Sequence, residues 1–108
     1  MSTSENNPIA CVLNAIPDQH REQHWWLVQQ FQMAIESVTE LENGFAFSLD
    51  NKPDIIVHVA EWFTWERLCC PFLHFTLEVE KETVSLSLTG DEGVKNFVKS
   101  QLPTLIGQ

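Results

Sequence analysis

The sequence predicts an α+β fold, namely a ferredoxin-like antiparallel sheet with helices on one face and an extra C-terminal strand and helix. Three observations predict it. Two segments, which follow Pro17 and Pro53, carry apolar residues at helical spacing. The pair Asn43-Gly44 lies between two strand-like runs. Two later runs alternate apolar and polar residues, as half-buried strands do. The predicted order of elements is β-α-β-β-α-β-β-α.

The first strand and the first helix are separated by a proline. The apolar run from Ile9 to Ile16 predicts a strand that contains Cys11, and it stops before Pro17. Asp18 suits the N-cap or the first turn of a helix. We expect this helix to end near Ala34. Its apolar arc collects Leu27, Val28, Phe31, Ala34 and Ile35.

A hairpin is predicted between the runs 37–41 and 45–49, because Asn-Gly between strand-like runs is a strong turn signal. We prefer a three-residue loop, Glu42–Gly44, which pairs Leu41 with Phe45. This register keeps like faces together, and it places the glycine at the left-handed position that such loops need.

The second half of the chain predicts a helix, two strands and a final helix. The helix runs from Asp54 to Cys70, since Pro53 suits its start and Pro71 forces the preceding residue out of the helical region. Runs 75–79 and 84–88 alternate as strands with one buried face. The final helix is predicted to face the core with Val94, Phe97 and Val98.

Length and charge limit the function. A chain of 108 residues is expected to form one domain, with residues 1–8 a disordered lead and residues 9–108 a single α+β domain. The polar start has no signal-peptide pattern, and no apolar run is long enough to cross a membrane, so we expect a cytoplasmic protein. The net charge of −9 argues against nucleic acid or anionic lipid as a partner, and it favours cations.

The three cysteines do not predict a secreted disulfide framework. Cys69 and Cys70 are neighbours, so their Cα atoms lie about 3.8 Å apart, which is shorter than the usual disulfide range of about 4.4–6.8 Å. We therefore expect thiols. Cys11 is a third member of the group if the fold brings it close.

Glu66 is the residue of the second helix that packing explains least. On a helical wheel it lies within the apolar arc, with Cys69 on one side and Cys70 on the other. A buried carboxylate is costly unless it is paired, protonated or bound to a cation. Two interpretations follow: a pair with a basic residue or backbone group of another element, or a role as metal ligand or general base.

The position of the cysteines bears on their chemistry. A helix C-terminus is the negative end of the dipole, so it disfavours a thiolate and weakens the case for a nucleophile. It weakens metal binding less, because a soft cation displaces the thiol protons itself. Packing, soft-metal binding and redox or nucleophilic chemistry all stay open for the pair.

Three histidines are further candidates for a metal site. His74 lies four residues after Cys70, and a Cys-x3-His spacing can bind one metal ion. Against this, His74 lies on the same strand face as Thr76 and Glu78, which is the face expected towards solvent. His20 and His24, four residues apart on the first helix, could also bind a metal, or simply lie at its surface.

Two adjacent tryptophans bear on the oligomeric state. Trp25 and Trp26 cannot both face one core, so one of them is expected at an edge or against a partner subunit. The second arrangement would make the protein a homodimer.

The most specific motif is Glu66-Arg67-Leu68-Cys69-Cys70-Pro71-Phe72, which is followed by the segments 75–79, 86–90 and 93–97. Together they resemble a group of small uncharacterised bacterial proteins with the pattern ERxCCPF…FxLxV…LxLTGxxGxKxF. The resemblance covers most of the chain, from about Cys11 to Val98. It implies no activity. If the group shares a site, the matching positions are Glu66, Arg67, Cys69 and Cys70, with Cys11 as a further candidate.

The leading hypothesis is a small cytoplasmic protein that binds a soft metal ion, zinc or copper, through clustered cysteines. Its candidate ligands are Cys69, Cys70, Cys11, Glu66 and His74. One alternative is a thiol redox or nucleophilic enzyme that uses Cys69 or Cys70. Another is a structural or interaction module in which the cysteines only pack.

Overall fold

The computed structural model describes residues 15–105, and the side chains of residues 15–103. Three helices and four strands follow in the order α-β-β-α-β-β-α. Of the predicted first strand, Ile9–Ile16, only Ala15 and Ile16 are described, and neither belongs to a strand; the rest, with the lead 1–8, lies outside the described residues. The elements are α1 (Asp18–Ala34), β1 (Ile35–Leu41), β2 (Gly44–Leu49), α2 (Pro53–Cys69), β3 (His74–Val79), β4 (Val84–Thr89) and α3 (Val94–Leu105).

The four strands form one antiparallel sheet with the spatial order β1-β2-β4-β3. The predicted α+β, ferredoxin-like class is confirmed at this level. Each neighbouring pair is antiparallel, and β4 lies between β2 and β3. Within the range 15–105, no helix is long and apolar enough to cross a membrane.

The apolar face of the sheet carries the core. Alternate residues of β2 and β4 are buried and lie opposite one another, as Phe47 does with Leu86. Phe31 of α1 joins the layers, because its ring packs 5.6 Å from Phe47 and 4.7 Å from Trp62 of α2. Val94 and Val98 of α3 belong to the same cluster. The helices therefore cover one face of the sheet, as the sequence predicts.

The hairpin forms at the predicted place, but its predicted register is wrong. Its turn contains two residues, Glu42 and Asn43, so that Leu41 pairs with Gly44 and Glu40 with Phe45. This register puts Glu40 on the helix-covered face. Lys95 of α3 compensates its charge, with Nζ 2.6 Å from Oε2.

Gly44 is also needed for a different reason from the predicted one. It does not adopt a left-handed conformation; among the described glycines only Gly93 has a positive φ. A Cβ atom at Gly44 would instead overlap the carbonyl oxygen of Leu88 on the neighbouring strand. Close approach of two backbones, rather than turn geometry, therefore requires glycine here.

Helix α2 positions the candidate site, and its ends agree with the prediction to within one residue. Pro53 occupies the first turn, where its missing N–H removes no hydrogen bond. Cys70 leaves the helix, with φ −124° and ψ 73°, directly before Pro71. The last helical turn is therefore fixed within the Glu66–Cys70 segment.

Candidate metal site at the end of α2

The last turn of α2 brings a carboxylate and two thiols together. One ligand atom each from Glu66, Cys69 and Cys70 lies within 4.8 Å of the other two. The i, i+3 and i+4 spacing places the three side chains on one side of a helical turn. No disulfide joins Cys69 to Cys70.

Backbone hydrogen bonds hold this turn in place. The N–H of Cys70 donates to the backbone carbonyl of Glu66 at 2.7 Å, which closes the helix. The N–H of Leu73 then donates to the carbonyl of Cys70 at 3.1 Å, so the chain turns sharply towards β3. The thiols therefore lie on an ordered backbone, as a preformed binding site requires.

Both cysteines are deeply buried in an apolar environment. Cys69 is 3% exposed and Cys70 is fully buried. They form a small cluster with the buried side chain of Ile16, and partly buried apolar side chains pack around it: Trp65, Phe72 and Leu73. Electrostatic interactions are stronger in such surroundings than in water.

The carboxylate of Glu66 has a partner on each oxygen. His24 Nε2 lies 2.9 Å from Oε1, and the thiol of Cys70 donates to Oε2 at 3.3 Å. The side chains of His24 and Glu66 are 14% and 17% exposed. The expectation that a basic residue of another element pairs with Glu66 is confirmed, and the residue is His24 of α1.

The sequence predicts His24 as a metal ligand only together with His20, and the structure gives the two histidines different partners. The His20 ring stacks on Trp65, with centroids 4.3 Å apart. His24 reaches Glu66 across 42 positions of the chain. One feature of the sequence could have predicted this pair. His24 and Glu66 are both polar residues within the apolar arc of their helix, and two such residues can form a hydrogen bond with each other when the helices pack.

The described contacts favour one hydrogen-bonding arrangement of His24. An ionised carboxylate only accepts hydrogen bonds, so Nε2 must carry the proton that it donates to Oε1. The other ring nitrogen, Nδ1, is buried and has no described hydrogen-bond partner. A second N–H there would be a buried donor without an acceptor, which costs free energy. His24 therefore meets Glu66 through Nε2 alone, and its other ring nitrogen has no described hydrogen-bond partner.

The other predicted ligands stand apart from this group or outside the described residues. His74 is the exposed first residue of β3, paired with Thr89. It lines an open groove of about 610 Å³ between the α2–β3 and β4–α3 connections, and the thiol–carboxylate group found among residues 15–103 does not include it. Cys11 lies outside the described residues. Both assignments stay predictions.

Arg67, the second residue of the ERxCCPF motif, does not join the cluster. Its side chain is exposed, and its Nε donates to the backbone carbonyl of Thr64 at 3.1 Å. This agrees with the helical wheel, which places Arg67 about 100° from Glu66.

Comparison of the chain with protein-family models, with curated proteins and with solved structures yields no match. The resemblance to bacterial proteins that carry the ERxCCPF pattern therefore stays a prediction, and the function has to be argued from the site.

Proposed function

We propose that this protein binds a soft metal ion, such as zinc or copper(I), through Cys69, Cys70 and Glu66. One observation carries the proposal: two thiols and a negatively charged carboxylate lie within 4.8 Å of one another on a fixed helical turn. Thiolates are the ligands that soft cations prefer, and carboxylates also bind zinc.

The distances suit one shared ion after small side-chain movements. Sulfur lies about 2.3 Å and carboxylate oxygen about 2.0–2.2 Å from zinc. Two sulfur ligands of a tetrahedral zinc ion lie about 3.8 Å apart, whereas the three atoms here lie within 4.8 Å of one another, so they would have to move by up to about 1 Å. Rotation about the side-chain bonds of residues on an already ordered turn would close this gap.

Charge favours a cation over an activated thiolate. The negative end of the α2 dipole and the carboxylate of Glu66 both oppose a second negative charge on Cys70. A bound metal ion reverses this effect, because it stabilises thiolate and carboxylate together. The net charge of −9 adds to the attraction of cations and argues against nucleic acid as a partner.

His24 would act on the metal through Glu66. Its hydrogen bond to Oε1 leaves Oε2 as the oxygen that faces Cys70. A ligand that is oriented by a second residue loses less conformational freedom when it binds. The same hydrogen bond compensates part of the cost of burying Glu66 when no metal is bound.

Purified protein tests the proposal directly. The chain would be prepared under reducing conditions without chelator, and its metal content would be compared with that of a Cys69→Ser/Cys70→Ser variant. We expect near-stoichiometric zinc or copper in the wild type and a loss of at least tenfold in the variant. Cobalt(II) substitution should add a thiolate-to-metal absorption band. Equal, negligible metal in both proteins, with no band on titration, excludes the site.

The packing alternative makes a different prediction. The cluster of Ile16, Cys69 and Cys70 is buried enough for the cysteines to act as small apolar side chains. In that case the double serine variant would lose stability while neither protein bound metal. A Cys69→Ala/Cys70→Ala variant separates the two effects, because it keeps most of the apolar volume and removes the ligands.

The thiol-enzyme alternative requires a thiolate at neutral pH. The contact between Cys70 and Glu66 opposes it, and rates of alkylation measured against pH provide the test. The cytoplasm, where thiols stay reduced, is the location that fits the metal-binding proposal.

A further inference from the structure

Several large apolar side chains are exposed on the outer surface of the helix pair. Trp25 is 67% exposed, Trp26 45% and Met33 79% on α1, and Val57 is 58% exposed on α2. At 100° per residue, the three α1 residues fall within about 100° of arc. We call these four residues the tryptophan patch.

Contacts between α1 and α2 join the two parts of the patch. The Trp26 ring packs edge-on against His58, which follows Val57, with centroids 4.9 Å apart. One turn away, Gln23 donates to the Glu61 carboxylate at 3.1 Å. The patch therefore spans both helices. Exposed apolar areas of this kind mark interaction surfaces, because soluble proteins rarely leave several large side chains together in water.

The border of the patch is acidic. Outside the candidate metal site, the two helices carry Asp18, Glu22, Asp54 and Glu61 against Arg21 and Arg67. Arg21, the cation nearest to Trp25 along the helix, has its charge compensated by Asp18, with Nη1 2.7 Å from Oδ1. Lys52, before α2, lies 3.7 Å from Asp50. An apolar centre with an acidic border is complementary to an apolar stripe flanked by lysine or arginine.

We propose that the tryptophan patch docks a basic amphipathic helix of another protein. Its apolar side chains would cover Trp25, Trp26, Met33 and Val57, and its cations would face Glu22 and Glu61. A second copy of this chain fits less well, because two chains of charge −9 would bring acidic borders together. Anionic lipid is repelled for the same reason. This proposal does not depend on the metal site.

The test uses the whole protein and a synthetic 18-residue helix of leucine and lysine with one apolar face. Isothermal titration calorimetry should detect binding, and Trp25→Ala/Trp26→Ala should weaken it at least tenfold. The matched control is Val79→Ala, which shortens a side chain 49% exposed at the end of β3. Its affinity should stay within twofold of the wild type. Trp25 and Trp26 are both exposed, so circular dichroism should show that the tryptophan variant keeps the wild-type fold.

A second pair of variants separates docking from general attraction to an acidic chain. Glu22→Gln/Glu61→Gln should weaken binding at least threefold more than Glu78→Gln/Glu82→Gln, which removes the same charge from β3 and the β3–β4 turn. Equal losses, no binding of the peptide, or an unchanged affinity of the tryptophan variant overturn the proposal. A wild-type dimer in sedimentation that the tryptophan variant dissociates would assign the patch to a second copy instead.

Discussion

Two buried regions of this protein differ in the chemistry of their contacts. In the main core, rings of Phe31, Phe47 and Trp62 pack against one another and against aliphatic residues of β4. In the smaller cluster at the end of α2, two thiols that are as deeply buried as these rings lie beside a carboxylate. Packing of apolar side chains explains most of the first region, in which Trp62 Nε1 is a buried N–H without a described hydrogen-bond partner. It does not explain why a charge should lie next to the second.

The comparison shows that burial alone does not identify the role of a cysteine. Cys70 is as inaccessible as Phe47. What distinguishes it is Glu66, whose negative charge the described contacts compensate only with hydrogen bonds from His24 and Cys70. A half-buried carboxylate held in this way favours a cation, whereas the core gains nothing from one.

The largest expected effect lies in the main core. Phe47→Ala removes a fully buried ring and should lower the free energy of unfolding by about 3–5 kcal/mol, measured by urea denaturation. The metal content of the molecules that remain folded should not change. If metal binding fell in parallel in the folded fraction, the two regions would not be independent. Phe47→Leu offers a milder change if the alanine variant does not fold.

Glu66→Gln tests the charge of the cluster while keeping its shape. We expect metal affinity to fall more than about 100-fold, because a ligand is lost and not only a residue that orients one. Competition against a chromophoric chelator measures the change. An affinity equal to that of the wild type would show that Glu66 is not a ligand and that its contact with His24 is structural.

His24→Gln should have a smaller effect on the same site. Loss of a residue that orients a metal ligand typically costs about 10–100-fold in affinity. His58→Gln is the matched control, since His58 is also a half-buried helical histidine but contacts Trp26 instead of Glu66. Similar losses in both variants would indicate a general effect on the packing of α1 against α2.

The smallest effect concerns Glu40, the carboxylate of β1 that lies on the helix-covered face of the sheet. The hydrogen bond and charge of Lys95 lower the pKa of Glu40 below its ordinary value of 4.5. A lowered pKa in the folded state contributes stability that is present above the ordinary value and is lost as the pH falls through the lowered one.

Glu40→Gln should therefore destabilise the protein slightly at neutral pH, and this difference should disappear as the pH falls through the lowered pKa of Glu40. Urea denaturation at several pH values measures it, with Glu42→Gln as a control that removes the same charge two residues further along the hairpin. A constant difference across the pH range contradicts the role given to Lys95. Glu40 is exposed and pairs with Lys95, whereas Glu66 is half-buried and its described partners are His24 and Cys70.

Much of the fold could be predicted because its signals are local. Pro53 and Pro71 bound α2, and alternation located β3 and β4, since these effects act within a few residues of chain. The register of the first hairpin could not be predicted. In the observed register Glu40 meets Lys95, more than 50 positions away, and Gly44 lies against the β4 backbone. Both are contacts that exist only once the sheet and α3 have assembled.

Helical spacing and Pro71 already place Glu66, Cys69 and Cys70 at one end of a helix. The contact of His24 with one oxygen of Glu66 and the exposure of both Trp25 and Trp26 arise only when the helices pack. Spacing along a helix is set by its own backbone. Which face of that helix meets which neighbour is set by the packing of the whole core.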